Sequence, residues 1–256
     1  MDIIASHKVQ VYIFSTPLQL PIKKMTISTL YNKTLFFALM VCSLPSLSQE
    51  KSGVGMIQGQ ITVSKGDDVA GDVVRGHALN RYQAGGTNAG KPLDPPYALS
   101  EKAVIYIESI NGERTLPTEH PVLDQRDMVF RPLVLPIVVG TTVDFPNSDP
   151  LFHNVFSLSQ PKEFDLGRYA NGQKKSVTFD KPGIVSVYCE IHSYMFATIL
   201  VLQNSLFTVP DEDGNYSLKS VPAGTYQLGF WYGRKKAETK TVIVTANQTT
   251  NVNFSY

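Results

Sequence analysis

Beyond residue 50, apolar positions come in short alternating runs separated by Gly, Pro, Asn and Asp. A period of two puts every second side chain on one face of an extended chain, so these runs predict half-buried β-strands. They fall at 55–63 (GMIQGQITV), 103–109 (AVIYIES), 136–146 (PIVVGTTVDFP), 175–179 (KSVTF), 183–189 (GIVSVYC) and 197–203 (ATILVLQ). Five more follow at 207–210, 215–220, 225–232, 240–246 and 250–256. No segment keeps a 3.6-residue apolar period over three turns, so the chain is expected to be all-β, built as one sandwich or two. Residues 65–100 break the pattern with Gly, Pro and small polar residues. They predict a long loop, with one short helix around 73–82.

The first 48 residues read differently. An apolar run at 34–44 follows Lys33 and is too short to span a bilayer, which takes about 20 residues. It has the proportions of a signal-peptide core, and Ser46, Leu47 and Ser48 place the mature start near Gln49. Met25 is the candidate initiator. A lipoprotein anchor at Cys42 would need a small residue before it, and Val41 stands there. The chain is therefore expected to be exported, periplasmic in a bacterium, with no membrane span in its mature part. Net charge is +1 over the whole chain. It falls to −2 once the four lysines and one aspartate of residues 1–48 are removed, which gives no electrostatic case for nucleic acid.

Export leaves Cys189 as the one cysteine of the mature chain, with no partner for a disulfide. An idle thiol is a liability in an oxidising compartment. Cys189 sits in YCEIHSYM (188–195), with His192 and Met195 at successive spacings of three. On one tight loop after a strand, thiolate, imidazole and thioether can converge. That soft donor set favours copper over magnesium, calcium or manganese. A trigonal copper site still lacks a second histidine, for which His77, His120 and His153 are the candidates. His153 follows a strong strand and a Pro/Asn/Asp turn among Leu151, Phe152, Val155 and Phe156, and these surroundings favour it. His77 and His120 read as surface residues. A buried inert thiol at Cys189 and a core-filling Met195 are the plain alternatives, and zinc would accept Cys and His but rarely Met.

The pairing of GTTVDFPNSDPLFHNVFS (140–157) with FDKPGIVSVYCEIHSYM (179–195) resembles the cupredoxins, the small blue copper proteins. The short C-x-x-H-x-x-M loop is similar to that of the amicyanins of methylamine utilisation. The resemblance covers about 103–203 and implies a Greek-key β-sandwich that passes single electrons between protein partners, a donor and an acceptor. It implies that His153 and His192 bind copper through imidazole nitrogen, Cys189 as thiolate and Met195 as a long axial ligand. Asn154 would hold the loops together around the thiolate. The exposed edge of His192 would be the electron port. Tyr194 and Phe196 would line a docking patch, and Tyr188 would offer a second route. A copper-delivery protein and a non-redox envelope adaptor are the alternative readings.

No enzyme is expected. Clustered His-x-His pairs, a second cysteine on the ligand loop, a Ser-His-Asp order and a phosphate-binding glycine loop are all missing. The acidic run 211–215 (DEDGN) lacks the spaced ligands of a calcium loop and reads as a β-turn. Residues 207–256 resemble the carboxypeptidase regulatory-like, or transthyretin-like, β-sandwich, with Tyr216, Leu218, Val221, Tyr226 and Leu228 expected inward. The expected order is tandem. A leader (1–48) precedes an N-terminal strand and loop (49–102), the cupredoxin domain (103–203) and the C-terminal module (204–256). The other arrangement inserts the cupredoxin into the module, which would then share strands 55–63 and 103–109. Trp231 is expected in the core or at an edge.

Overall fold

The computed structural model describes residues 53–64, 97–108 and 114–256. The expected leader with Cys42, the helix at 73–82 and His77 lie outside the described residues. The described residues belong to one compact unit. The chain enters as β1 (Val54–Thr62), and a single turn of helix, α1 (Leu99–Lys102), leads into β2 (Ala103–Ile107). The middle of the chain is β3 (Asp124–Arg126), β4 (Val129–Arg131), β5 (Val134–Val138), β6 (Thr142–Pro146), β7 (His153–Ser159), β8 (Lys162–Tyr169), β9 (Lys174–Thr178), β10 (Gly183–Tyr188) and β11 (Phe196–Leu202). The last part is β12 (Phe207–Thr208), β13 (Asn215–Pro222), β14 (Gly224–Tyr232), β15 (Lys235–Val244), β16 (Thr249–Asn251) and β17 (Phe254–Ser255).

The middle strands make a sandwich. A five-stranded sheet in the order β5-β11-β10-β7-β8 faces the pairs β6-β9 and β3-β4. Between them lies a core of Leu123, Phe130, Phe145, Val155, Phe179, Val185, Val187 and Ile199, which also contains Cys189 and Met195. The run expected as one strand at 136–146 is broken in two. Gly140 takes φ 94°, and its N–H donates to the Phe179 carbonyl, so the chain turns from β5 into β6 on the opposite layer.

The outer strands pair across the sandwich rather than after it. β1 lies antiparallel to β13 and parallel to β16 and β17, while β2 lies between β12 and β14 in the sheet β12-β2-β14-β15. The tandem division at 103 and 204 therefore does not describe the sheets: β1 and β2 belong with the C-terminal strands. Their shared core also takes in Val134, Phe196 and Leu200 from the five-stranded sheet. β11 explains why. Ala197, Ile199 and Val201 face the core that contains Cys189, and Phe196 and Leu200 face the second one, so the strand is buried on both sides. Trp231 is buried in that second core and donates its Nε1–H to the Gly233 carbonyl.

Four strands were not anticipated. β3 and β4 have three residues each, too few to show a period. β7 buries the polar side chains His153, Asn154 and Ser157, which masks its alternation, and β8 is charged along much of its length.

Candidate metal centre

The antiparallel pair β10–β11 runs from Gly183 opposite Val201 to Tyr188 opposite Phe196, so residues 189–195 form the connection at its end. The Met195 N–H donates to the His192 carbonyl at 2.9 Å and tightens that connection. Across the sheet, β7 supplies His153 as its first residue, fully buried. The preceding turn is fastened by Asn147. Its Oδ1 accepts from the Asp149 N–H (3.0 Å), and its Nδ2 donates to the carbonyls of Leu151 (2.8 Å) and Tyr169 (3.0 Å).

Three donor atoms converge. His153 Nδ1 and His192 Nδ1 are 3.0 Å apart, and Cys189 Sγ lies 3.9 Å from each. With metal–nitrogen bonds of about 2.0 Å and metal–sulfur bonds of about 2.3 Å, one ion reaches all three. A regular tetrahedron on those bonds would set sulfur and nitrogen about 3.5 Å apart. The wider 3.9 Å opens the sulfur–nitrogen angles toward a trigonal set, the arrangement of one Cys and two His that suits copper. The cluster of His153, Cys189 and His192 fits a single copper ion. Met195 is fully buried in the same core as Cys189.

Neighbouring groups hold these donors. Asn154 Oδ1 accepts from the Glu190 N–H at 3.0 Å, and its Nδ2 donates to Asp165 at 2.7 Å, so one buried amide ties β7 to the cysteine loop and to β8. His153 Nε2 lies 2.8 Å from Asp149 Oδ2, a partner that sequence reasoning missed. Its position four residues before His153 was the available signal. Burial pushes the His192 pKa down, and His153 beside it pushes the same way, which keeps that imidazole neutral and able to donate a lone pair. Burial raises the Tyr194 phenol, as do Cys189 and Asp149. Its O–H donates to Met128 Sδ at 3.3 Å.

Other expected positions fall elsewhere. His120 is exposed and bonded to Asp144. Phe196 is buried beneath the Arg234 guanidinium, 3.9 Å from its ring centre, and so does not line a docking patch. Tyr188 packs between Phe156 and Phe196. Asp211 accepts from the N–H groups of Asp213 and Asn215, so the acidic run is a turn whose first carboxylate serves the backbone.

Residues 119–202 match the copper-binding proteins of the plastocyanin/azurin family. That segment is a cupredoxin-like domain. Among curated proteins no sequence matches the chain. Similar solved structures include a Cu-containing nitrite reductase from Thermus scotoductus SA-01, at 30% identity and a TM-score of 0.32, covering 37% of this chain and 25% of that one. A reduced mutant of amicyanin aligns at 22% identity and a TM-score of 0.31, covering 38% of this chain and 97% of that one. A purple cupredoxin from Nitrosopumilus maritimus aligns at 27% identity and a TM-score of 0.27, covering 38% and 96%. Among the described residues no helix is long and apolar enough to cross a membrane.

Proposed function

We propose that this chain is an exported type 1 copper protein that carries single electrons between two protein partners. The observation behind this reading is the convergence of His153 Nδ1, Cys189 Sγ and His192 Nδ1 in a trigonal set. Bound copper would supply a one-electron Cu(I)/Cu(II) couple. The protein's part is to keep the donors still. His153 and Cys189 are buried, Asn154 fastens their loops, and Met195 belongs to the apolar core that contains Cys189. Fixed donors leave little to reorganise when the charge changes, and an apolar wall keeps water out.

Of the three donors His192 is the least buried, and apolar side chains flank it. Ile191 precedes it in the loop, Leu151 and Phe152 precede His153, and Met128 lies against Tyr194. Phe152 is 61% exposed and Leu151 45%. Such a rim would let a partner dock by apolar contact and release quickly, with the imidazole edge as the point of transfer.

The test is visible absorption and EPR of Cu(II)-loaded protein beside Cys189→Ser. An intense thiolate-to-copper band with small hyperfine splitting, lost in the variant, is expected. A colourless Cu(II) complex with ordinary splitting would reject the type 1 reading.

A further inference from the structure

We infer that Asp149 is the positioning residue for His153, and that its carboxylate biases the site toward the oxidised metal. The inference builds on the copper reading above. A carboxylate only accepts hydrogen bonds, and Asp149 Oδ2 is 2.8 Å from His153 Nε2. The Nε2 atom therefore carries the proton, and Nδ1 keeps its lone pair facing Cys189 Sγ and His192 Nδ1. Without that acceptor the ring has two tautomers and can flip, and only one of these states presents Nδ1 as a ligand. The charge also acts on the metal. A buried negative group one imidazole away raises the basicity of the ligand and favours the more highly charged ion, which lowers the reduction potential.

The carboxylate is itself held by a second element. Its Oδ1 accepts from the Asp127 N–H at 2.7 Å, and its Oδ2 from the Met128 N–H at 2.8 Å. These two residues form the tip between β3 and β4, and both are left-handed, with φ 57° and 58°. Two positive φ angles at a two-residue tip suit a hairpin, but side chains other than glycine resist them. The two bonds to Asp149 offset that resistance. Met128 Sδ then accepts from the Tyr194 hydroxyl on the cysteine loop. One hairpin tip thus touches both ligand-bearing loops, at 149–153 through the carboxylate and at 189–195 through Tyr194.

A purely structural role, in which Asp149 only caps the hairpin, gives different results in a measurement on the histidine itself. In the metal-free full chain, long-range proton–nitrogen NMR should find His153 as the Nε2–H tautomer. Asp149→Asn should populate the other tautomer. After loading, the same variant should raise the reduction potential and lower Cu(II) affinity about 10- to 100-fold. Asp124→Asn is the control, since Asp124 is buried in the same group of loops but bonds Ser148 and Arg126 rather than a histidine. It should leave the tautomer and the affinity unchanged. A wild-type His153 protonated on Nδ1 would overturn the inference, as would an Asp149→Asn protein with unaltered affinity and potential. If Asp149→Asn does not fold, the wild-type tautomer decides. Because the tautomer is read without metal, it stands apart from the colour test. A missing thiolate band rejects the type 1 reading, whereas a wrong tautomer rejects Asp149.

Discussion

At the scale of single residues, three buried aspartates lie around the sandwich end, and their partners separate what they do. Asp149 serves His153 and a hairpin tip. Asp124 accepts from Ser148 and pairs with Arg126. Asp144, on β6, gathers Lys174 Nζ and Ser176 Oγ at 2.6 Å each and His120 Nδ1 at 2.9 Å. Burial alone would raise the Asp144 carboxyl. The bonds from Lys174, Ser176 and His120 outweigh it and hold the pKa at about 2, below the ordinary value of 3.8. A depressed carboxyl contributes stability that is fully present above its unfolded pKa and is lost as pH falls through the folded one. The contribution is about 1 to 2 kcal/mol after allowing for solvent screening of the exposed Lys174 and His120. Asp144→Asn should therefore lose about that much at pH 6. In urea melts the gap to wild type should close as the pH falls from about 4 to about 2. A gap independent of pH would show that the charge contributes nothing.

At the scale of elements, β1 shows how a strand from the start of the chain can be held between later ones. It pairs on one side with β13 and on the other with β16 and β17, and the two parallel partners are separated by Val252 and Asn253, of which the Val252 N–H donates to the Gln58 carbonyl. The chain passes so close there that a Cβ on Gly59 would lie 1.7 Å from the Val252 carbonyl oxygen. Backbone on both sides leaves no flexible group to yield. Gly59→Ala is expected to cost about 1–3 kcal/mol or more in denaturant unfolding, as overpacking does. A midpoint equal to wild type would mean that β1 and residue 252 are not held so closely together. The alternation at 215–220 correctly placed Tyr216 and Leu218 inward, yet Val221 breaks the parity. Ser220 at φ 57° resets the register so that Val221 returns to the core.

At the scale of the molecule, the two cores share the five-stranded sheet, and β11 is their common wall. Arg131 on β4 is also bonded to Glu101 of α1 through both carboxylate oxygens, at 3.0 and 2.9 Å, which adds a polar clasp between the outer and inner strands. Such sharing predicts one cooperative unfolding unit. Trp231 is the chain's one tryptophan and reports on the second core, while the thiolate band reports on the copper end. Their thermal transitions should coincide. Two separated midpoints would show that the cores melt independently. An isolated 103–203 fragment would expose Val134, Phe196 and Leu200, and it should be poorly soluble.

The sequence alone was enough for the β class, because a period of two is a local property of the chain. It was also enough for the proximity of Cys189 and His192, because two residues three positions apart on one connection cannot stray far from each other. His153 stood out from His120 only through its apolar neighbours and the resemblance, and both pointed the same way as the fold. For Asp149 the sequence offered only its spacing of four from His153, since its role needs a hairpin tip and a histidine ring brought against it from separate elements. The pairing of β1 and β2 with the last strands likewise depends on long-range register, which periodicity does not encode. One sign of it was in plain view. The run FATILVL is interrupted only by Thr198 and has no polar face, and a strand without a polar face needs cover on both sides. What that cover would be, the closing strands of the chain together with its first ones, was decided only when the whole molecule packed.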